Sequence, residues 1–273
     1  MDAVSDYFIR LGLDLNTVLV LAGVLLGGLA LFSFLGRFIF GRASNFHCAI
    51  SSTFAIIFAY LAVVIIHCFL PELQRFTAPL PFATIANDQL CFFQFEGTEI
   101  TIICTELIRA IVLAFFVNII DRWMPICRNI FAWLFFRILT VSAAFLLHLL
   151  IHWLCNSYLP DNFIIYAPIA LLSILVLLLL TGCLKFLVGI ILTGVNPVIA
   201  ALYTFFFATI AGKMLTRAVL TTGILSAIVY ALAYFGITSL NISASTLPVY
   251  APFIILFAAV WYAFHHAPKK KKD

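Results

Sequence analysis

Charge is what this sequence has least of. Only 10% of its 273 residues are Asp, Glu, Lys or Arg, against roughly 25% in an average soluble domain. With 65% hydrophobic residues and a mean hydropathy of +1.19, the chain is neither an ordinary soluble domain nor a disordered one. Its seven cysteines include no Cys-x-x-Cys pair, so a disulfide framework or zinc ribbon is not indicated. A net charge of +4 is small for gripping phosphate backbones, and no nucleic-acid partner is expected. A phosphate-cradling loop, a nucleophile elbow and a dinucleotide fingerprint are all missing, which argues against ATP-driven work by this chain alone. The class left is an integral membrane protein whose first partner is the lipid bilayer.

What is present is a succession of long apolar runs. A spanning helix needs roughly 20 apolar residues. The runs Leu15–Gly36, Phe46–Leu70, Ile100–Ile120, Ile130–Cys155, Phe163–Leu184, Ala218–Leu240 and Leu247–Phe264 meet that length or come close. They are continuous rather than alternating, so helices are expected and barrel strands are not. An eighth run, Phe186–Gly212, is broken by Gly194-Val195-Asn196-Pro197. Proline removes a backbone donor and disfavours helix at the residue before it. The run can therefore cross once, kinked, or enter and return as two half-helices.

Basic residues of short loops gather on the cytoplasmic side. Arg37, Arg42, Arg122, Arg128 and Lys185 follow alternate spans, while Asp2, Asp6, Asp14, Glu72, Asp88, Glu96, Glu99 and Asp161 fall on the opposite side. If Phe186–Gly212 re-enters, Lys213, Arg217 and Lys269, Lys270, Lys271 and Lys272 join the first group, and only Arg10 and Arg75 stay outside. The expected fold is thus all-α: a polytopic transmembrane helix bundle of about seven spans plus a re-entrant helical hairpin, with eight spans as the alternative. The chain reads as one integral membrane domain over 1–273, with an external loop at 71–99, the broken segment at 186–212 and a cytoplasmic basic tail at 265–273. The N-terminus is expected outside and the C-terminus inside, in a plasma membrane of bacterial type. The tail lysines suit anionic lipid headgroups at about 1 kcal/mol each; His265 and His266 beside them are expected to be solvated. A homo-oligomer is left open.

Three groups of polar residues are candidates for chemistry. Glu106 and Arg109 lie three apart on one span and can pair on one face; Arg109 falls about 14 Å inside its span at about 1.5 Å per residue. A charge in hydrocarbon costs at least about 2.5–3.5 kcal/mol, so this pair is read as a charge gate or coupling site. Arg137, on the next span, either approaches the pair or snorkels to the headgroups. In the broken run, Thr193 and Asn196 could ligate an ion or a polar substrate group beside freed backbone. His148 and His152, one turn apart, could share a metal with His67 at a similar level. No His-Glu-x-x-His motif supports this, and packed or interfacial histidines are the competing reading. No cofactor is expected; zinc at those histidines is the one alternative.

Three functions follow. The leading one is movement of a small solute or ion. The others are a non-catalytic accessory or assembly protein, and a membrane-embedded His-metal hydrolase acting on lipid.

Overall fold

The computed structural model describes residues 23–24, 45–70, 79–124, 127, 129–158 and 210–266. Thr193, Asn196 and the four tail lysines lie outside the described residues, as does most of the broken segment. Five helices are long and apolar enough to cross a membrane: α1 (Asn45–Phe69), α2 (Ile100–Trp123), α3 (Ile130–Tyr158), α4 (Ile210–Tyr234) and α5 (Leu247–His266). α1 is the most enclosed of them and α5 the least. Helices of this kind show little polar contrast around their axes, charges being few and confined to α2, α3 and α4.

The expectation of an all-α fold is corrected by a small antiparallel sheet. Strands β1 (Ala83–Ala86), β2 (Gln89–Phe92) and β3 (Ser239–Asn241) are ordered β1-β2-β3. Ala86 pairs with Gln89 and Leu90 with Leu240. The β1–β2 turn is Asn87-Asp88, with φ of 50° and 57°. Two consecutive left-handed residues give the turn twist that suits a two-residue hairpin, and Asn and Asp tolerate it. The expected external loop therefore holds a hairpin, and its apolar residues are core: Leu80, Phe82 and Ala83 are buried, and Phe93 and Phe95 pack on Phe82.

α4 begins and ends earlier than the run Ala218–Leu240 suggested. Lys213 and Arg217 sit within its first turns, and Arg217 donates to Asn45 Oδ1 at 3.1 Å. Gly236, at φ 78°, stops the helix. The Gly236 amide bonds the Ala233 carbonyl and the Ile237 amide the Leu232 carbonyl, the paired bonds of a glycine-terminated helix. The residues after it are released to form β3.

Contacts between helix ends fix their directions. Near their N-termini α1 and α4 touch through Asn45–Arg217 and through Thr221, which donates to the Ala49 carbonyl at 3.2 Å. At their C-terminal ends both meet the sheet: His67 of α1 reaches Asp88 of the hairpin turn, and Tyr230 of α4 lies 6.3 Å from Phe95. α1 and α4 are therefore parallel. α5 runs against them, since His265 meets Ser51 and Phe264 stacks on His47. The start of α3 lies beside the end of α5, with Trp133 on Trp261 at 5.1 Å. The Arg137–Asp121 pair joins that end of α3 to the end of α2. One end of the bundle thus carries Arg122, Arg137, Lys213 and Arg217, and the other carries the sheet with Asp88, Glu96 and Glu99.

Candidate functional site

Helical spacing brings Glu106 and Arg109 to one face of α2, and the ion pair forms: Arg109 Nη1 lies 2.7 Å from Glu106 Oε1. The second carboxylate oxygen is also used, accepting the backbone N–H of Phe82 at 2.8 Å. The residue before Phe82 is held from a different helix, where the Tyr60 hydroxyl donates to the Pro81 carbonyl. Two helices therefore clamp a single peptide group, Pro81–Phe82, just before β1, one through its carbonyl and the other through its N–H. Directly after this peptide Phe82 takes φ 61°, a left-handed conformation that is an outlier for a bulky residue. Such a conformation costs of order 1–3 kcal/mol and persists only where the surroundings over-determine it. Here the carboxylate fixes the N–H, the strand ladder fixes the carbonyl through Phe93 N at 2.8 Å, and the fully buried ring fixes the side chain.

The charge pair is thus not isolated in hydrocarbon. The base of the hairpin reaches down to it, and Glu106 keeps only 8% of its surface exposed. The sequence located the pair. It did not show the Phe82 amide or Tyr60, because both contacts depend on folding residues 79–99 back over the bundle.

Arg137 does not join this pair. It bridges to Asp121 on α2, with its guanidinium carbon 5.9 Å from the Trp133 ring centre. Asp121 was overlooked among the sequence candidates, although an acid beside Arg122 at the basic end is a signal. A buried guanidinium needs a counter-charge when its side chain is too enclosed to reach the headgroups.

The three histidines part company. His148 is fully buried on α3, within electrostatic reach of Arg109 and His152 and beside the Pro79 backbone. His152 takes a hydrogen bond from Asn156 at 2.9 Å, one turn onward. His67 lies at the end of α1, 3.4 Å from Asp88. Among the described residues no three metal-ligating side chains gather. The structure instead sets His148 near the charge pair, a link the sequence did not make because the residues lie on different spans. Cys68, Cys91 and Cys155 are free thiols.

At the basic end, His265 and His266 are not solvated tail residues. α5 continues through them. His265 Nε2 lies 3.3 Å from Ser51 Oγ, and His266 Nε2 lies 2.8 Å from the Cys127 carbonyl. Apolar Trp261 and Phe264 carry the helix into the bundle and take the histidines with them.

Fold and site together define a mostly helical protein with, among the described residues, five helices long and apolar enough for a membrane and a clamped hairpin at one end of them. No family model, curated protein or solved structure matches the chain.

Proposed function

We propose that this protein moves a small solute or ion across the plasma membrane, with the hairpin as an outer gate and Glu106–Arg109 as its latch. The observation that carries this reading is the clamp on Phe82: one buried carboxylate holds both a guanidinium and a strained peptide of the cap. Whatever competes for Arg109, or removes the charge of Glu106, loosens the cap where strain favours release. Protonation and an anionic solute are two such events. Thr193 and Asn196 are the expected ligands further along the path.

The directions of the helices support the topology of about seven spans with a re-entrant segment. α3 ends at the sheet end and α4 begins at the basic end, so the chain between them must make an odd number of crossings. If the expected span Phe163–Leu184 makes that crossing, Phe186 onward makes no net crossing, as a re-entrant segment would; two full crossings would reverse α4. The gathering of Arg122, Arg137, Lys213 and Arg217 at one end favours that end as cytoplasmic. The bacterial plasma membrane and an external N-terminus are carried with this reading.

The test is flux in proteoliposomes loaded with sodium, chloride, acetate, phosphate or neutral amino acids, and with a pH dye for protons. At least one species is expected to move faster than through protein-free vesicles, and Glu106→Gln is expected to change that rate about tenfold. If every species leaks at the protein-free rate, transport is refuted. One observation favours the accessory reading in that event: Glu106–Arg109 and Arg137–Asp121 are both closed pairs, as structural glue would be.

A further inference from the structure

His266 is the last residue of α5, at the basic end and away from the cap. Both of its ring nitrogens face main-chain carbonyls. Nε2 lies 2.8 Å from the carbonyl oxygen of Cys127, in the connection between α2 and α3, and Nδ1 lies 3.1 Å from that of Tyr262, one turn back on α5. A carbonyl oxygen only accepts, and a neutral imidazole carries a single N–H. The neutral ring can therefore donate to one of these oxygens and must turn a lone pair on the other. The imidazolium, with two N–H groups, satisfies both, and both bonds are then of the stronger charge-assisted kind.

Two further features favour a cation at this place. The ring stacks on Tyr262 with centres 4.2 Å apart and planes at 25°, and an aromatic face attracts positive charge. The last turn of a helix also favours a cation, because its free carbonyls point that way. The ring is half-buried, so water can bring the proton without a cavity.

The other titratable and charged groups of this end are His265 on α5, His47 on α1, Arg137 on α3 with its partner Asp121 on α2, and the Cys127 thiol. Asp121 closes off Arg137. His265 turns Nε2 to the Ser51 hydroxyl at 3.3 Å; a hydroxyl both donates and accepts, so that contact needs no second proton on the ring. Charging His265 or His47 would set like charges against Arg137 and His266 and loosen this end in acid. The two carbonyls around His266 work with the opposite sign, which separates the two effects.

We propose that His266 is a proton-operated strap: its imidazolium pins the end of α5 to the connection between α2 and α3, and loss of one proton loosens it. α5 is the least enclosed of the five helices, so its end depends on such a tie. The strapped state holds the extra proton, so the strap is made in acid and lost as pH rises, within the range of about pH 5 to 8 where histidine changes charge. It uses no residue of the cap and stands whether or not the protein moves a solute.

The experiment is amide hydrogen exchange of the full chain in maltoside micelles at about pH 5.5 and about pH 8.5, on either side of that range. It is read over residues 257–266 and corrected for the intrinsic exchange rate at each pH. Long-range ¹H–¹⁵N spectra of the histidine-labelled chain follow each ring; the chain has six histidines, and His266→Gln assigns this one. Protection is expected to be about fivefold greater at the lower pH, the weight of about one hydrogen bond, and to change together with the His266 ring signal. His266→Gln, which takes up no proton, is expected to flatten the dependence, and His265→Gln to leave it in place. The proposal is overturned if protection in the unsubstituted protein is equal at the two pH values or greater at the higher one. It is also overturned if His266→Gln keeps the dependence. Should that variant fail to fold, the exchange of the unsubstituted protein against its own His266 signal still decides.

Discussion

Replacing Glu106 and Arg109 separately and together tests whether the carboxylate serves the ion pair, the hairpin, or both. Side-chain exposures of 11% for Glu106 and 21% for Arg109 mark the pair as largely desolvated. Removing one partner of such a pair costs about 3–5 kcal/mol, whereas replacing both with uncharged groups is often close to neutral. Glu106→Gln alone should therefore destabilise by about 3 kcal/mol, the low end, because Arg109 keeps some access to solvent. Glu106→Gln with Arg109→Met should return to within about 1 kcal/mol of the parent, since the amide oxygen still accepts from Phe82 N. Glu106→Leu with Arg109→Met removes the same charges but leaves the Phe82 N–H buried without a partner, adding about 1–3 kcal/mol. The two double variants should differ by roughly 2 kcal/mol, about 30-fold in the opening equilibrium of the hairpin. Hydrogen exchange of the peptide over residues 79–86, with unfolding in mixed micelles measured alongside, reads both terms. If the two double variants protect that peptide equally, the carboxylate does not hold the hairpin and the latch is wrong.

Other outcomes follow from the same contacts. Arg137→Met should destabilise by about 1–3 kcal/mol, less than at Glu106 because Asp121 is partly exposed, and adding Asp121→Asn should recover most of the loss in the same unfolding assay. Gly236→Ala should cost about 1 kcal/mol in thermal unfolding: a Cβ there meets nothing within 4 Å, so the whole cost is the φ of 78° and not a clash. Single cysteines introduced at Glu96 and Asn129 into a cysteine-free chain should react with a membrane-impermeant maleimide from opposite sides, Glu96→Cys in intact cells and Asn129→Cys only after lysis; the same sidedness at both positions would refute the helix directions. Asp88→Asn should move the unfolding midpoint little, because Asn keeps the left-handed turn backbone and the pairing lost with His67 is exposed to solvent.

Membrane class, and four of the five described helices to within a few residues, were legible in the sequence. Apolar run length is set by bilayer thickness, and no tertiary contact is needed to read it. The exception was α4, where Lys213 and Arg217 read as loop charges. Arg217 is held there by Asn45, distant in sequence and adjacent only after folding. Gly236 was a stop signal available to inspection, but an apolar run continuing through Ile237 to Leu240 masked it. The hairpin was hidden for a similar reason. Strands of three or four residues leave too short a pattern beside runs of twenty, and β3 joins from the far end of the chain.

By itself the sequence determined that the protein carries runs long and apolar enough for membrane helices, which few charges lie within them, and that Glu106 and Arg109 share a helix face. Composition and helical spacing are local properties, and they survive without a fold. Only the tertiary structure decided what those charges are for. It gave Glu106 a strained peptide to hold, gave Arg137 the aspartate at the end of α2, drew His148 toward Arg109, and turned two tail histidines inward. Each is a contact between segments distant in sequence, and spacing along one helix carries no information about it.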